Sequence, residues 1–356
     1  MTRRCSITSM ISVASIAALA APALALPQSA PAAAPPAKDE QPTELPVTLI
    51  PHPGSAAEAY FSPDGTHLIC NAQVGDDETY YVYTMKLDGS EVRKINGKGM
   101  DACTYYFPDG QRIIWTSTRD CLDLPKGDYS EPSDYPKGAE LFISDLKGKN
   151  VKRLTHNECY DAECSVSPDG NWILFSRQTD DGIDLWKMRA DGSDEAQLTF
   201  TDDWHEGGAF FMPDGDTIIY RAWRHADSDQ SPKPMTIFTI KADGADLTQI
   251  TTDPGTNWAP YPAPDGNHFV YVRMMPPHNF EIYLMNIETK EKKQLTHNNA
   301  FDGYPVISPD GQTLLFSTSR GIPRGERKLR LAKMDVSSLH LGAGKNTQTT
   351  GHEQDH

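Results

Sequence analysis

The sequence is poor in positive charge and in cysteine. Of its 356 residues, 33 are Lys or Arg and 49 are Asp or Glu, which gives a formal net charge of −16 at pH 7. That balance argues against nucleic acid or an anionic membrane surface as a partner, because both attract basic patches. The six cysteines show no spacing that matches a zinc or haem motif. The acidic balance also favours solubility.

Long apolar runs are scarce too, and the notable one lies at the amino terminus. Arg3 and Arg4 precede an alanine-rich stretch, Ile7–Leu24, and a small-x-small site follows at 23–25. This order is typical of a signal peptide, so we predict that residues 1–25 are removed on export to the periplasm or the medium. Ser12, Ser15 and Pro22 interrupt the run, which argues against an integral membrane span.

Familiar catalytic motifs are missing as well. There is no Gly-x-Ser-x-Gly nucleophile elbow, and His205-Glu206 lacks the second histidine of a zinc-protease helix. No phosphate loop or dinucleotide fingerprint occurs. The sequence therefore offers no standard active site.

What the chain does contain is one short Pro-Asp-Gly turn, repeated six times. Successive turn prolines lie 45, 60, 45, 51 and 45 residues apart, and such periods are typical of repeat architectures. Proline presets φ at the second turn position and glycine takes the left-handed position that follows. The six turns are 62–65, 107–110, 167–170, 212–215, 263–266 and 308–311.

The segments around each turn predict four strands per repeat. A short strand precedes the turn and an apolar, β-rich strand follows it. A third strand carries a pair such as Leu185-Trp186, and after a second turn a fourth strand ends in a pair such as Leu198-Thr199. Four antiparallel strands, radially repeated, predict an all-β, six-bladed β-propeller over residues 47–336.

The two ends of the repeat region complement each other. Val47–Ile50 is spaced like a fourth strand without a blade of its own, and the last repeat lacks a fourth strand after Lys328–Met334. We predict that the amino-terminal strand closes the last blade, which removes two free edges. Residues 26–46 are a Pro/Ala-rich linker and residues 337–356 a disordered tail by composition.

Five cysteines remain after removal of the signal peptide, so at least one thiol is unpaired. Cys103, Cys159 and Cys164 lie where first strands begin in adjacent blades. We expect a disulfide among these three or with Cys121, and the connectivity stays open.

Carboxylates recur where the chain enters the first strand of a blade. Seven residues before the turn prolines stand Ala56, Asp101, Asp161, Glu206, Asn257 and Asp302; Glu58 and Glu163 follow two residues later, and His205 precedes Glu206. We expect these side chains to converge on the channel axis and to bind a ligand. Ca²⁺ is the cofactor that such oxygen ligands favour, with Asp101, Asp161, Glu206 and Asp302 as its ligands. Alternatively, they cap the inner strands and hold channel water.

Arginines end the second strands and form a predicted basic ring outside the acidic one. Arg119, Arg177, Arg221 and Arg224 carry planar forks that suit carboxylate or phosphate groups, so a zwitterionic or peptide-like ligand would fit. Trp223 and Trp258 bring aromatic anchors to the same face. The alternative is internal Arg–carboxylate pairing between neighbouring blades. Insertions at 119–138 and 224–234 are candidate specificity loops on this face.

The repeat resembles a known family. The Ser-Pro-Asp-Gly turn, Ile-Tyr-x-Met within Glu281–Met285 and the segment Phe301–Pro305 resemble the WD40-like PD40 repeat of the TolB family, over about residues 47–334. The resemblance implies a periplasmic six-bladed propeller that binds envelope proteins through its channel face. The chain departs from the family pattern because residues 26–46 cannot fold into the family's amino-terminal α/β domain.

Two classes of function stay open. The first is an exported scaffold that binds a protein or a peptide-like ligand through its channel face. The second is a metal-assisted lyase or hydrolase with a site on the axis, because similar repeats also occur in oligogalacturonate lyase and in propellers that gate serine peptidases. A histidine-rich axial cluster would favour the enzyme, whereas an acidic, aromatic funnel would favour binding.

Overall fold

The structure is a computed structural model that describes residues 44–129, 132–157, 159–180, 182–275 and 278–344. The predicted signal peptide lies outside the described residues, as do most of the predicted linker and tail. The described chain forms six four-stranded antiparallel sheets, which confirms the predicted six-bladed propeller. No helix in the described ranges is long and apolar enough to span a membrane.

The strands of each blade follow one another from the axis outward. The first three blades comprise β2–β5 (Ser55–Phe61, His67–Gln73, Tyr81–Lys86, Arg93–Lys94), β6–β9 (Asp101–Tyr106, Arg112–Ser117, Glu140–Asp145, Lys152–Arg153) and β10–β13 (Tyr160–Val166, Trp172–Gln178, Ile183–Arg189, Ala196–Gln197). The next two comprise β14–β17 (Trp204–Phe211, Thr217–Arg224, Thr236–Lys241, Thr248–Gln249) and β18–β21 (Asn257–Pro262, His268–Met275, Asn279–Asn286, Lys292–Gln294). The sixth comprises β22–β24 (Asp302–Ile307, Thr313–Thr318, Arg330–Asp335) with β1 (Val47–Leu49), and short 3-10 helices span Pro132–Asp134, His225–Asp227 and Ser337–Leu339.

The Pro-Asp-Gly turns form as the sequence predicts. In the first blade the Ser62 hydroxyl donates to Oδ1 of Asp64 at 2.6 Å, and the same oxygen accepts the backbone N–H of Thr66 at 3.0 Å. Hydrogen bonds from Ser62 and Thr66 lower the pKa of Asp64 to about 2. Gly65 then takes φ +72°, a left-handed conformation that glycine adopts without a Cβ penalty. All six turns lie on one face, so the connections between blades lie on the other, the channel face.

The amino-terminal strand closes the ring as predicted. Strand β1 pairs antiparallel with β24, with Val47 opposite Met334. The packed domain also extends past both predicted bounds: Leu45 packs against the core of the last two blades, and Leu341 is fully buried in the same cluster. These apolar side chains gain burial against blade faces, which fixes segments whose composition alone predicted disorder.

The predicted disulfide does not form. Cys103, Cys121 and Cys164 carry free thiols. The Cys164 thiol instead donates to the backbone carbonyl of Cys103 at 2.8 Å, within the interface between two inner strands. Burial raises the pKa of Cys164, so this thiol is held protonated and acts as a small core residue.

Every inner strand carries a β-bulge near its middle, and the residue in the bulge has a positive φ. Non-glycine residues adopt this conformation rarely, yet five of the six blades have one here. We call these residues the axial positions: Glu58 (φ 50°), Cys103 (48°), Glu163 (55°), Gly208 (58°), Ala259 (50°) and Tyr304 (52°). The equivalent residues two positions earlier, where each strand begins, are the rim positions: Ala56, Asp101, Asp161, Glu206, Asn257 and Asp302.

Candidate functional site

Two rim carboxylates are buried in ion pairs with arginines of their own blades. Asp161 accepts hydrogen bonds from Nε and Nη2 of Arg177, both at 2.7 Å, and from the side chain of Asn157 at 2.8 Å. In the same way, Asp302 accepts a hydrogen bond from Nη2 of Arg320 at 2.6 Å. These two carboxylates are therefore engaged within their own blades, whereas the alternative predicted pairing between neighbouring blades.

The other rim side chains are held by neutral donors or acceptors. Asp101 accepts hydrogen bonds from Asn96 at 2.7 Å and from the backbone N–H of Val82 at 3.0 Å, both in the preceding blade. Glu206 accepts a short hydrogen bond from Thr201. Burial raises the pKa of Asp101 to about 6 and that of Glu206 to about 8. The Asn257 amide donates to two backbone carbonyls.

The sequence predicted that the rim carboxylates converge on the axis, but they do not. Each turns back toward the end of the preceding blade, where Asn96, Asn157 and Asn298 donate to Asp101, Asp161 and Asp302 respectively. In the described ranges no three His, Cys, Asp or Glu side chains lie close enough to hold one metal ion. The proposed calcium ligands thus do not fit a shared ion in this geometry, and calcium binding stays a prediction.

The remaining predicted residues lie on the channel face or within it. Arg224 is exposed and pairs with Asp203, and Arg119 donates to Oδ1 of Asn96 at 3.2 Å. Trp223 is 1% exposed and belongs to the core, so it offers no contact surface. Trp258 is half-buried and lies against Tyr304, with ring centroids 4.7 Å apart.

His205 stacks on the histidine that begins the second insertion. Its ring lies 3.9 Å from the ring of His225 and its Nδ1 accepts the backbone N–H of Ile183 at 3.1 Å. Burial and the neighbouring His225 lower the pKa of His205 to about 4. The ring is therefore neutral at physiological pH and supports the loop instead of carrying charge.

The axial positions, in contrast, bring ionisable groups from different blades together. Oε1 of Glu163 accepts a hydrogen bond from Nη2 of Arg221 at 2.5 Å, and its Oε2 accepts one from the backbone N–H of Gly208 at 2.9 Å. Burial raises the pKa of Glu163, but the Arg221 guanidinium outweighs this and holds it below its usual range. This is a buried, charged pair across the interface between the third and fourth blades.

A glycine pair makes room for this arginine. Arg221 lies on the second strand of its blade, directly opposite Gly207. A Cβ on Gly207 would overlap Oε2 of Glu163 and Nη1 of Arg221, and a Cβ on Gly208 would lie 2.8 Å from the same nitrogen. Only a bare backbone lets the Arg221 side chain cross the inner strand and reach Glu163.

Glu58 faces this pair from the first blade. Asn71 donates to its Oε2 at 2.9 Å and Tyr60 to its Oε1 at 3.3 Å. Burial, followed by the negative charge of Glu163, raises the pKa of Glu58 to about 7. We call Glu58, Asn71, Glu163 and Arg221 the axial cluster.

The long insertion of the second blade packs against inner strands of the second and third blades. Tyr135 stacks on Tyr160 with ring centroids 4.1 Å apart and an interplanar angle of 13°, and it packs against the apolar cluster that contains Cys103. Burial, followed by the charge of Glu163, raises the pKa of Tyr135. The role of the insertion as a specificity loop stays a prediction.

Four aromatic rings close the channel on the other side of the cluster. Tyr60, Tyr105, Phe210 and Tyr261 come from four different blades, and their neighbouring centroids lie 5.0 to 6.0 Å apart. The hydroxyls of Tyr105 and Tyr261 are 3.2 Å apart. This aromatic plug separates the axial cluster from the turn face.

Sequence reasoning placed Glu58, Glu163 and Arg221 on the channel face but singled out neither Asn71 nor Tyr135. One signal for the path of Arg221 was present, because Gly207-Gly208 interrupts an inner strand where other blades carry side chains. A glycine in a strand interior marks a bulge or a close approach by another group.

No family model matches the chain, so the assignment of PD40 repeats rests on the sequence resemblance. An uncharacterized protein of Agrobacterium fabrum is 28% identical over 222 residues, which cover 60% of this chain and 69% of that protein. An uncharacterized peptidase of Bacillus subtilis is 23% identical over 226 residues, and the match spans only 29% of the peptidase.

Solved structures share the fold at low identity. A putative TolB from Agrobacterium tumefaciens superposes with a TM-score of 0.54 and 19% identity, over 79% of this chain and 90% of that one. TolB from Acinetobacter baumannii gives 0.55 and 16%, over 79% and 63%. An oligogalacturonate lyase in complex with manganese gives 0.53 and 16%, over 81% and 92%.

The fold therefore defines a six-bladed β-propeller protein. Its fold is similar to that of the TolB structures, as the sequence resemblance implied, and to that of oligogalacturonate lyase.

Proposed function

We propose that the chain is an exported propeller that binds an envelope protein or a peptide-like ligand at its channel face. The observation that supports the proposal is the axial cluster, where charged groups from three blades lie near the aromatic plug. Convergent polar groups next to aromatic side chains are a usual feature of a binding site.

The surface around the cluster supports a macromolecular partner. Phe200 is 76% exposed and Leu122 is 61% exposed, and both lie on connections of the channel face. Trp258, on the inner strand of the fifth blade, is also partly exposed. Aromatic and aliphatic side chains of this kind anchor protein interfaces when a partner removes them from water.

A metal-assisted lyase or hydrolase on the axis is the weaker alternative. Such a reaction requires several protein ligands around one ion. The rim carboxylates are engaged by arginines and amides, and the described residues contain no group of three suitable ligands. The site thus supports binding better than metal chemistry.

Capture from an envelope extract tests the proposal. The mature chain, beginning at Leu26, should retain a partner from the extract. The double variant Phe200→Ala, Trp258→Ala should capture at least tenfold less of that partner. Leu247→Ala is the matched control, because Leu247 is 55% exposed but lies on the turn face. Equal loss in the control, or equal capture by all three proteins, would contradict a channel-face site. Amino-terminal sequencing of the exported protein tests the cleavage site separately.

A further inference from the structure

A cavity of about 510 Å³ opens on the turn face, between the first and second blades. The Pro-Asp-Gly turns of the two blades border it, and Thr84 and Arg93 line it from the third and fourth strands of the first blade. Tyr106 and Leu146 line it from the second blade. Ligand sites typically measure about 300–1,000 Å³, so the cavity can hold a few residues of a peptide chain. We call it the turn-face cleft.

The two turns that border the cleft do not touch. Where the second and third blades meet, a Cβ on the turn glycine Gly170 would lie 3.6 Å from Cδ of Pro108 in the preceding turn. A Cβ on Gly110 would meet no atom within 4 Å, so Pro63 leaves the corresponding space open. The turn at Gly215 is equally open. Open space alone therefore does not make a site, and the groups that line the cleft decide its chemistry.

The hydroxyl group of Tyr106 is an unsatisfied group of the cleft. This residue is 5% exposed, belongs to the core and lines the cleft. Its hydroxyl makes no hydrogen bond to a described residue, and it is not one of the unpaired side-chain atoms that are sealed from solvent. Because buried polar groups are normally hydrogen-bonded, this hydroxyl offers a donor that a ligand in the cleft can reach.

Arg93 supplies an unpaired positive charge. It is exposed and lies directly opposite Thr84 on the neighbouring strand, so both side chains extend from the same face of the blade. Within the described ranges, Arg93 has neither a hydrogen bond nor an ion-pair partner, and the Thr84 hydroxyl has no hydrogen bond. One guanidinium and a second hydroxyl thus face the same cavity.

The carboxylates that line the cleft are, in contrast, engaged. Asp64 accepts three hydrogen bonds from neighbouring residues of its own loop. Asp109 accepts a hydrogen bond from Nε of Arg112 at 2.7 Å. Glu91 forms an ion pair with Lys86. The acids of the cleft are therefore satisfied within the protein, while the guanidinium is not.

The free groups of the cleft are hydrogen-bond donors beside apolar walls. A guanidinium and two hydroxyl groups can all donate to a carboxylate, which has about four acceptor sites and pairs with arginine in a bidentate geometry. The engaged acids nearby repel additional negative charge, so they favour a singly charged carboxylate over a phosphate dianion. Apolar surface for a neighbouring side chain comes from Pro63, Pro108, Tyr106 and Leu146.

We propose that the turn-face cleft binds an acidic segment of a partner protein, with a carboxylate on Arg93 and Tyr106 and an adjacent apolar side chain against the two prolines. The net charge of −16 opposes such a ligand at long range. Charges separated by more than about 8 Å are largely screened at physiological ionic strength, so the local guanidinium decides. This site lies on the face opposite the proposed channel-face site and is independent of it.

Calorimetric titration of the mature chain at pH 7 tests the proposal with three probes. N-acetyl-Leu-Glu-Leu-amide should bind. N-acetyl-Leu-Gln-Leu-amide, which has nearly the same shape without the charge, should bind about tenfold more weakly, because it cannot form the charged pair. Sodium acetate, which carries the carboxylate alone, should displace the glutamate peptide only at a concentration at least about tenfold higher, because it lacks the leucines.

Variants locate the binding. Arg93→Gln should weaken binding of the glutamate peptide about tenfold and leave binding of the glutamine peptide unchanged. Tyr106→Phe deletes only the hydroxyl and should weaken binding of the glutamate peptide about fivefold. Lys293→Gln is the matched control, because Lys293 is exposed and lies opposite Leu284 in the fifth blade, in the register of Arg93. It should bind the glutamate peptide like the wild type, and melting curves confirm that each variant folds.

Four results would overturn the inference: no binding of the glutamate peptide at millimolar concentration, equal affinity for the glutamine peptide, a preference for glutamate that survives in Arg93→Gln, or an equal loss in Lys293→Gln. Displacement by acetate at the concentration of the peptide would overturn the apolar contacts.

The channel-face function is measured separately. The double variant Phe200→Ala, Trp258→Ala should bind the glutamate peptide like the wild type, and Arg93→Gln should capture the channel-face partner like the wild type. If partner capture succeeds while the glutamate peptide does not bind, the channel-face function stands and the turn-face inference fails. Loss of peptide binding in the double variant would contradict an independent site on the turn face.

Discussion

The rim and axial positions lie two residues apart on the same inner strands, yet they differ in almost every physical respect. Asp161 and Asp302 on the rim are held by arginines of their own blades in nearly the same way. Glu58 and Glu163, at the axial positions, meet groups from other blades and leave polar atoms of Asn71 and Arg221 unpaired.

The difference separates architecture from binding. Buried groups that recur with the same partners stabilise the blades, whereas groups that differ from blade to blade suit a ligand. The repeating carboxylates attract attention in the sequence, but the irregular residues form the candidate site.

The largest effect is expected at the rim. Asp161→Ala leaves the buried guanidinium of Arg177 without its bidentate partner, although Glu195 still contacts it at 2.6 Å. Breaking a buried ion pair in this way costs about 3–5 kcal/mol. Urea unfolding at pH 7 measures this loss. A loss below about 1 kcal/mol, as at a surface site, would remove the distinction between rim and axis.

At alkaline pH, Glu58→Gln at the axis should raise the free energy of unfolding, whereas Asp161→Ala at the rim should lower it. The folded state raises the pKa of Glu58 from 4.5 to about 7, so the folded protein binds this proton more tightly than the unfolded chain. That contribution is fully present below about pH 4.5 and is lost as pH rises through 7. The variant should therefore be more stable than the wild type at pH 8, by on the order of 2 to 3 kcal/mol.

Unfolding free energies at pH 5 and pH 8 check this prediction. The wild type should lose stability over this interval by more than the variant does. A variant that is less stable than the wild type at pH 8 would show that Glu58 acts as a structural carboxylate, like those of the rim.

Gly207→Ala tests how tightly the axial pair of Glu163 and Arg221 packs against the inner strand of the fourth blade. The added methyl group overlaps Glu163 and Arg221, so the pair must shift. Overpacking of this kind costs about 1–3 kcal/mol. Thermal and urea unfolding measure the cost, and Gly97→Ala is a control, because Gly97 also lacks a positive φ and a Cβ there would meet only the end of the Lys94 side chain at 3.6 Å. Full stability in Gly207→Ala would contradict the tight crossing of Arg221.

The smallest effect is expected at Arg224. Its ion pair with Asp203 is exposed on both sides, with 52% and 64% of the side chains accessible. Exposed pairs contribute little, so Arg224→Ala should change the unfolding free energy by less than about 0.5 kcal/mol. Any effect should appear in partner capture instead. A loss of several kcal/mol would mean that the outer arginines are architectural as well.

The architecture was predictable because its signals are local. The Ser62–Gly65 turn encodes its own geometry in four residues, and Val47–Ile50 matches a gap at the other end of the repeat. Local signals also predicted that Asp161 and Arg177 lie on the same face.

The site was less predictable because its geometry depends on the bulges and on long-range contacts. A positive φ at Glu58 or Glu163 breaks the simple alternation of strand side chains, and no glycine marks it. The position of Tyr135 depends on how a long insertion folds over neighbouring blades. Neither effect leaves a periodic trace in the sequence.

The aromatic plug has a kinetic consequence. With the rings of Tyr60, Tyr105, Phe210 and Tyr261 packed across the axis, a ligand bound on the channel face cannot leave toward the turn face. Such a ligand leaves only by the path it entered. A partner seated over the channel face would then slow the escape of the ligand without touching it, so the dissociation rate, more than the association rate, would report whether both are bound.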